Sequence, residues 1–280
     1  MDKQISKIYQ MNHTPLFSIV TVCYNSEKTI ARTLESVLMQ EFKDYEYIIV
    51  DGNSKDNTLN ILHEYESKFE GRMKIKSEPD KGIYDAFNKG IQRSNGIYVW
   101  IVNSDDYIEP QALKELAQLI ESFPKDYLPI IASSMRFIHQ SPIPPTIYTP
   151  NEELCRKSYK SLGMGILHPA TLIPRSIYHQ IGIYDDRFSI SADIDWFIRA
   201  CDARQPIYFS SIVSINMYYG GISTISHFSK FYHDKTIFFN KHSHNLIQEK
   251  FYLFRWTIKY FRNYLISKIK KLKHEQHTKY

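Results

Sequence analysis

The chain has 280 residues, 43% hydrophobic and 23% charged, with 35 Lys or Arg against 30 Asp or Glu and a formal net charge of +5. This composition excludes a disordered or fibrous chain, and the length admits one large domain or two small ones. The charge is uneven: from Glu249 to the end nine Lys or Arg stand against two Glu, so the basic excess belongs to the tail and no nucleic-acid partner is expected for the body.

The N-terminal stretch "MDKQISKIYQMNHTPLF" lacks the apolar core of a signal peptide, and no run reaches the roughly 20 apolar residues of a spanning helix. "FSIVTVCY" is a continuous apolar and β-branched run, the pattern of a strand buried on both faces. "NSEKTIARTLESVLMQ" places Ile30, Leu34, Val37 and Leu38 on one helical face, with Ser26 as the expected N-cap. "YEYIIVD" predicts a second strand, "GNSKDNT" a turn, and Asp56 a cap for the helix carrying Leu59, Ile61, Leu62 and Tyr65. A short strand "RMKIKSE", a helix "GIYDAFNKGIQRS" and a fourth strand "GIYVWIV" follow. Strand and helix alternating at this spacing predict βαβ units and a parallel sheet.

After Pro110 the pattern changes. "PQALKELAQLIESF" predicts a helix with Pro in its first turn. "PIIASSMRFIHQ" and "PTIYTP" predict strands, "SADIDWFIRACDAR" a helix, and "PIYFSSIVSINMYY" a long strand. The domain is expected to run over residues 1–245, with an appended basic helix at 246–280. Cys23, Cys155 and Cys201 lie far apart and make neither a CxxC pair nor a disulfide framework, which fits a reducing, cytoplasmic setting.

Each parallel strand ends in polar residues: Tyr24-Asn25, Asp51-Gly52-Asn53, and Asn103-Ser104-Asp105-Asp106. Ligands of open α/β sheets bind beyond the carboxyl ends of the strands, so these ends should converge on one crevice. Paired carboxylates are costly to desolvate, and a hard cation, Mg²⁺ or Mn²⁺, relieves that cost. The plain alternative is a turn that merely closes a strand. There is no GxGxxG or GxxxxGK[ST] loop, which argues against dinucleotide dehydrogenases and P-loop NTPases. Any diphosphate bound here would have its charge met by a metal.

"FSIVTVCYNSEKTIARTLESVLMQ", "YIIVDGNSKDNT", "EPDKGIYDAFNKGI", "IVNSDD" and "HPATLI…SADIDWFIR" occur in the order seen in family 2 glycosyltransferases, which the chain resembles from about Phe17 to Ser223. The resemblance is to bacterial enzymes that build capsule, exopolysaccharide or lipopolysaccharide. It implies a GT-A fold, a mostly parallel Rossmann-like α/β sheet. It also implies a nucleotide-sugar donor (commonly a UDP-sugar), a divalent cation, and inversion at the anomeric carbon. Carried over by position, Asp51 resembles the acid that binds the donor base. Thr21, Tyr24 and Asn25 resemble the nucleotide cradle, joined by Asn103 and Ser104. Asp105 resembles the metal carboxylate, with Asp106 beside it. Asn103 replaces the usual first Asp of the DxD-type motif, and Gly52 stands where many relatives have a second Asp.

An inverting transfer needs a base for the acceptor hydroxyl and a cation for the leaving diphosphate. Asp193 matches the position of the family's base, with Asp195 as the competing acid and a first-turn helix acid as the plain reading. His168, biased toward extended backbone by the following Pro, is a candidate for the acceptor side with Asp195. Lys81 is a candidate for the diphosphate; Asp80, Asp85, Asn88 and Lys89 share its motif. Gly220 and Gly221 offer a lid, and His227 a further metal ligand. In the tail, Phe251, Phe254, Ile258, Phe261, Leu265 and Leu272 fall near one face among Lys and Arg, the pattern of a helix lying on anionic lipid at the inner face of a membrane. The alternative is packing on the domain or on a homodimer partner. The acceptor is then a glycan or lipid-linked sugar. Competing functions are a nucleotidyltransferase of sugar phosphates and a non-catalytic protein binding RNA or membrane through its tail.

Overall fold

A computed structural model describes residues 14–139, 142–160, 165–218 and 228–242, with positions 254, 257 and 258. The strands are β1 (Phe17–Cys23), β2 (Tyr45–Asp51), β3 (Met73–Ser77), β4 (Tyr98–Ile101), β5 (Tyr107–Ile108), β6 (Ile130–Ile138), β7 (Thr146–Tyr148), β8 (Thr171–Pro174) and β9 (Ile207–Tyr218). The helices are α1 (Ile30–Leu38), α2 (Thr58–Glu66), α3 (Ile83–Arg93), α4 (Ala112–Glu121), α5 (Glu152–Lys160), α6 (Arg175–Ile181), α7 (Ala192–Asp202) and α8 (Phe228–His242). The chain divides into two compact units, Met1–Ser226 and His227–Tyr280. All nine strands belong to the first.

The strands form one sheet in the order β3-β2-β1-β4-β8-β6-β9-β5, with β7 paired to β6. β1, β2, β3 and β4 run parallel, as the βαβ spacing predicts. β1 and β2 are buried along their whole length, because helices cover both faces of a parallel sheet. β3, at the sheet edge, alternates buried and exposed positions and presents Lys74 and Lys76 to solvent, a charged edge that discourages further pairing.

The second half departs from the parallel pattern. β8 is antiparallel to both β4 and β6, β5 is antiparallel to β9, and β6 returns to a parallel pairing with β9. "TLIP" is too short to carry a period, so β8 is not legible as a strand in the sequence. α5 and α6 are likewise additions to the sequence reading.

Several local expectations are refined. α1 starts at Ile30, not directly after Ser26. The Ser26 carbonyl accepts the Thr29 and Ile30 N–H groups, while its hydroxyl is engaged elsewhere. Asp56 does accept the Thr58 N–H at the start of α2, at 3.0 Å. His168 opens a single 3-10 turn, His168–Ala170, instead of an extended stretch; the Ala170 N–H and the Thr171 hydroxyl both close onto the Leu167 carbonyl. Trp100, Tyr47, Tyr98 and Phe17 are the largest fully buried side chains of the core, and the Trp100 indole N–H reaches the Pro169 carbonyl at 2.7 Å, tying β4 to that turn. The three cysteines are free.

Candidate active site at the carboxyl ends of the parallel strands

Parallel register brings the strand ends level. Cys23 pairs with Asp51, and Asp51 with Ser77. The Gly52 N–H donates to the Cys23 carbonyl at 2.8 Å, and the Val102 N–H to the Val20 carbonyl at 2.9 Å. Beyond these bonds the chain leaves β1 and β2 through Asn25 and Asn53, both with positive φ (50° and 64°), a conformation costly for most L-residues but tolerated by Asn.

Side chains then stitch the three ends together. The Ser26 and Ser104 hydroxyls lie 2.9 Å apart, joining the ends of β1 and β4. The Asn25 N–H donates to Ser54 Oγ at 2.9 Å, and the Lys55 N–H to Asn25 Oδ1 at 2.8 Å, joining β1 to β2. These bonds place the strand ends that carry Tyr24, Asn25, Asn103, Ser104 and Asp105 side by side along one edge of the sheet. Tyr24 is 60% exposed there, an aromatic ring open to solvent.

Two residues expected at the rim sit beneath it. Thr21 is fully buried, its hydroxyl 3.0 Å from the Tyr47 hydroxyl. Asp51 is also fully buried. Its carboxylate accepts the Ser54 hydroxyl, the Ser54 N–H at 3.1 Å and the Ser77 hydroxyl at 2.6 Å, which fixes the 52–54 turn. A Cβ on Gly52 would stand 2.5 Å from Asp80 Oδ2 and 3.4 Å from Tyr24 Cδ2. The space a side chain at 52 would fill is therefore taken by Asp80. Sequence reasoning placed Asp80 in a motif but not against Gly52, because nothing local connects positions so far apart. Lys81 is exposed; its backbone N–H donates to Asp85 Oδ2 at 3.0 Å.

The Asn103–Asp106 turn is braced from α1. The Thr33 hydroxyl donates to the carbonyls of Ser104 and Asp106, and an Arg32 guanidinium N–H to the Asp105 carbonyl at 2.6 Å. Arg32 lies over the rings of Tyr218 and Tyr107, 4.3 and 5.1 Å from their centroids, so it joins this turn to the end of β9. Asp106 is 1% exposed, and its Oδ2 accepts the Asn103 amide at 3.0 Å. Burial first, and the neighbouring Asp105 charge second, push the Asp106 carboxyl up to about 8. Asp105 is half-buried, and its carboxylate accepts no hydrogen bond among the described residues. Asn103 Oδ1 is buried and unpartnered among the same residues.

These hard oxygens fit a divalent cation in chemistry, and the buried Asp106 beside Asp105 is the electrostatic burden that a cation relieves. No group of three or more His, Cys, Asp or Glu is disposed to hold a metal among the described residues.

α7 carries Asp193 and Asp195 two positions apart. Asp193 is half-buried. Its Oδ1 accepts the Tyr84 hydroxyl at 3.1 Å and the Ile194 N–H at 2.9 Å. Asp195 is fully buried, its Oδ2 accepting Arg199 Nε at 3.0 Å. The Arg199 guanidinium also donates to the carbonyls of Ile181, Gly182 and Ile183, closing the end of α6. The two acids therefore have different surroundings: one at the helix start beside a tyrosine, the other in a buried ion pair. The i,i+4 spacing of Asp195 and Arg199 is a signal the sequence held.

His168 stacks on Phe87 at 5.1 Å, and its Nε2 is 2.9 Å from the Tyr184 hydroxyl. Burial pushes its imidazole down to about 4, so it is neutral at ordinary pH. Tyr84, Phe87, Tyr178, Tyr184 and Trp196 complete an aromatic cluster behind Asp193. Gly220, Gly221 and His227 lie outside the described residues, as does the tail helix apart from Phe254, Thr257 and Ile258. No helix among the described residues is long and apolar enough to cross a membrane.

Comparisons with known proteins agree with this architecture. The chain is 29% identical over 216 residues to a PGL/p-HBAD biosynthesis glycosyltransferase of Mycobacterium bovis, covering 75% of this chain and 79% of that one. It is 38% identical over 116 residues to a chondroitin synthase of Escherichia coli, covering 41% of this chain and 16% of that one. Its fold matches S. aureus TarS residues 1–349, solved in complex with UDP-GlcNAc, at a TM-score of 0.64 and 21% identity, covering 85% of this chain and 70% of that one. The chain spans 41% of the longer TarS structure. The family model for glycosyl transferase family 2 matches residues 18–182, more than half of the sequence, and the chain belongs to that family.

Proposed function

We propose that this glycosyltransferase moves a sugar from a UDP-sugar to a hydroxyl of a glycan or lipid-linked acceptor, with inversion and with the help of a divalent cation. The observation that carries the reading is the stitched rim. Three parallel strand ends, joined by Ser26–Ser104 and Asn25–Ser54, carry the exposed Tyr24 ring and the Asp105 carboxylate, which accepts no hydrogen bond among the described residues. Support for the donor comes from TarS, solved with UDP and with UDP-GlcNAc. Family membership disfavours the nucleotidyltransferase and RNA-binding alternatives.

In this reading the base lies against Tyr24, with Asp80 across Gly52 and Asp51 holding the floor through Ser54 and Ser77. Asp105 would hold the cation with the donor's diphosphate, and Asn103 and Asp106 would support it from below. Bound there, Mg²⁺ or Mn²⁺ supplies charge neutralisation for the departing diphosphate. Asp193 accepts the proton of the acceptor hydroxyl. The acceptor oxygen forms a bond to the anomeric carbon as the bond to the diphosphate breaks, and its electron pair leaves with the nucleotide. His168, held neutral in the aromatic cluster, shapes the acceptor side without carrying charge. Asp195 contributes there through the helix it anchors.

The test is a thermal-shift titration with UDP, with and without Mn²⁺, in the wild-type chain and in Asp105→Asn. UDP with Mn²⁺ should stabilise the wild type, by RT ln(1 + [L]/Kd) or about 2.7 kcal/mol at a hundredfold excess over Kd. The variant should fold normally and lose the Mn²⁺-dependent part. An equal Mn²⁺ response in both proteins would remove the metal role of Asp105.

A further inference from the structure

The motif "GIYDAFNKG" forms the first two turns of α3, and its side chains reach the segment that carries the candidate base. Asn88 clamps the backbone of Tyr184 in both directions: its Nδ2 donates to the Tyr184 carbonyl at 2.9 Å and its Oδ1 accepts the Tyr184 N–H at 3.0 Å. Tyr84, one turn earlier and only 6% exposed, donates its hydroxyl to Asp193 Oδ1. The Tyr84 ring is itself fixed, edge-on to Phe87 at 5.7 Å and tilted against Tyr184 at 5.8 Å. α3 in turn is seated on β1 through Gly90, where any Cβ would press into the buried Val20 side chain. A rigid path therefore runs from the central strand, through α3, to one carboxylate oxygen.

We propose that Tyr84 is the positioning residue for Asp193: its hydroxyl holds the carboxylate in one orientation and favours the charged form that accepts a proton. The inference rests on Asp193 acting as the base. A phenol donating to a carboxylate stabilises the ionised state, and such charge-assisted bonds are stronger than neutral ones. The titratable groups facing Asp193 include Tyr84 from α3 and Tyr184 from the segment before α7, while Asp195 and Arg199 form a separate pair further along α7. His168 lies behind Tyr184. Burial raises the Tyr184 phenol well above its ordinary value and lowers the His168 imidazole to about 4, so neither competes for protons near neutrality. The Asp195–Arg199 pair satisfies its own charge.

Tyr84→Phe tests the role, because it keeps both ring contacts and removes the hydroxyl alone. The carboxyl titration of Asp193 is read by NMR in protein labelled with ¹³C-aspartate, the resonance being identified by its loss in Asp193→Asn. In Tyr84→Phe the titration midpoint should move up by about one pH unit, with the melting temperature close to wild type. With UDP-GlcNAc and Mn²⁺ as the probe and water as the acceptor whose proton Asp193 takes, release of UDP should fall about 10- to 100-fold in kcat. The donor KM should change by less than about 2-fold, because the lost bond acts on the base and not on the donor. A titration midpoint unmoved in Tyr84→Phe overturns the proposal, and that reading needs no substrate. The parallel Asp193→Asn variant separates the two inferences. Retained turnover in Asp193→Asn removes the base assignment itself, whereas loss there with unchanged titration and turnover in Tyr84→Phe removes the role of Tyr84 alone.

Discussion

Replacing Asp195 by Asn should unfold the protein more easily without being a chemical lesion, and replacing Asp193 by Asn should do the opposite. Asp195 is fully buried and paired with Arg199, whose side chain is 21% exposed. Breaking a buried ion pair from one side costs about 3–5 kcal/mol, since the remaining charge stays desolvated. Arg199 keeps three carbonyl acceptors, at Ile181, Gly182 and Ile183, so the lower end of that range, about 3 kcal/mol, is expected. In a domain of this size each kcal/mol moves Tm by about 2–4 °C, giving a drop of about 6–12 °C. Asp193 is half-buried at the helix start and should cost little stability when neutralised, while turnover falls about 10²- to 10⁴-fold, the usual worth of a general base. The assay pairs calorimetric Tm with UDP release from UDP-GlcNAc, and with UDP binding as a control. An Asp195→Asn protein with wild-type Tm and abolished turnover would refute the reasoning: the base would then lie one step further along α7, and the Arg199 pairing would be dispensable.

Two glycines offer a matched contrast. Gly90→Ala drives a Cβ into the fully buried Val20 and should destabilise by about 1–2 kcal/mol despite a better helix propensity, whereas the Cβ of Gly52→Ala presses on the movable Asp80 carboxylate and otherwise meets the exposed Tyr24 ring at 3.4 Å, so Tm should hold and UDP affinity should change. Equal Tm losses in the two variants would contradict the assignment of Gly90 as a packing position. For the tail, changing Lys268, Lys270, Lys271 and Lys273 to Gln in the full chain should weaken co-sedimentation with anionic vesicles, each Lys near the surface contributing roughly 1 kcal/mol. Unchanged binding of the variant, or no vesicle binding by the wild type, removes the membrane role.

Local patterning was enough to read the framework of the site. Continuous β-branched runs ending in Asn or Asp, with amphipathic helices between them, dictate a parallel βαβ array. The physics of such arrays sends Tyr24, Asn25 and Asn103–Asp105 to a common edge. The helix bearing Asp193 and Asp195 was equally plain from its apolar spacing. What periodicity cannot report is which distant group a side chain meets. Thr21 and Asp51 lie in strands buried on both faces, so residue type alone could not say that both would be enclosed, one by Tyr47 and the other by Ser54 and Ser77. Antiparallel β8 enters between β4 and β6 because its four buried residues find partners only in the assembled sheet. Asp80 meets Gly52, and Tyr84 meets Asp193 across 109 positions of chain. The second contact depends on α3 settling against Val20 at Gly90. The difference between Asp193 and Asp195, identical in type and two residues apart, is likewise a matter of surroundings: a helix turns about 200° over two residues, and only the packed structure puts Arg199 on one side and Tyr84 on the other.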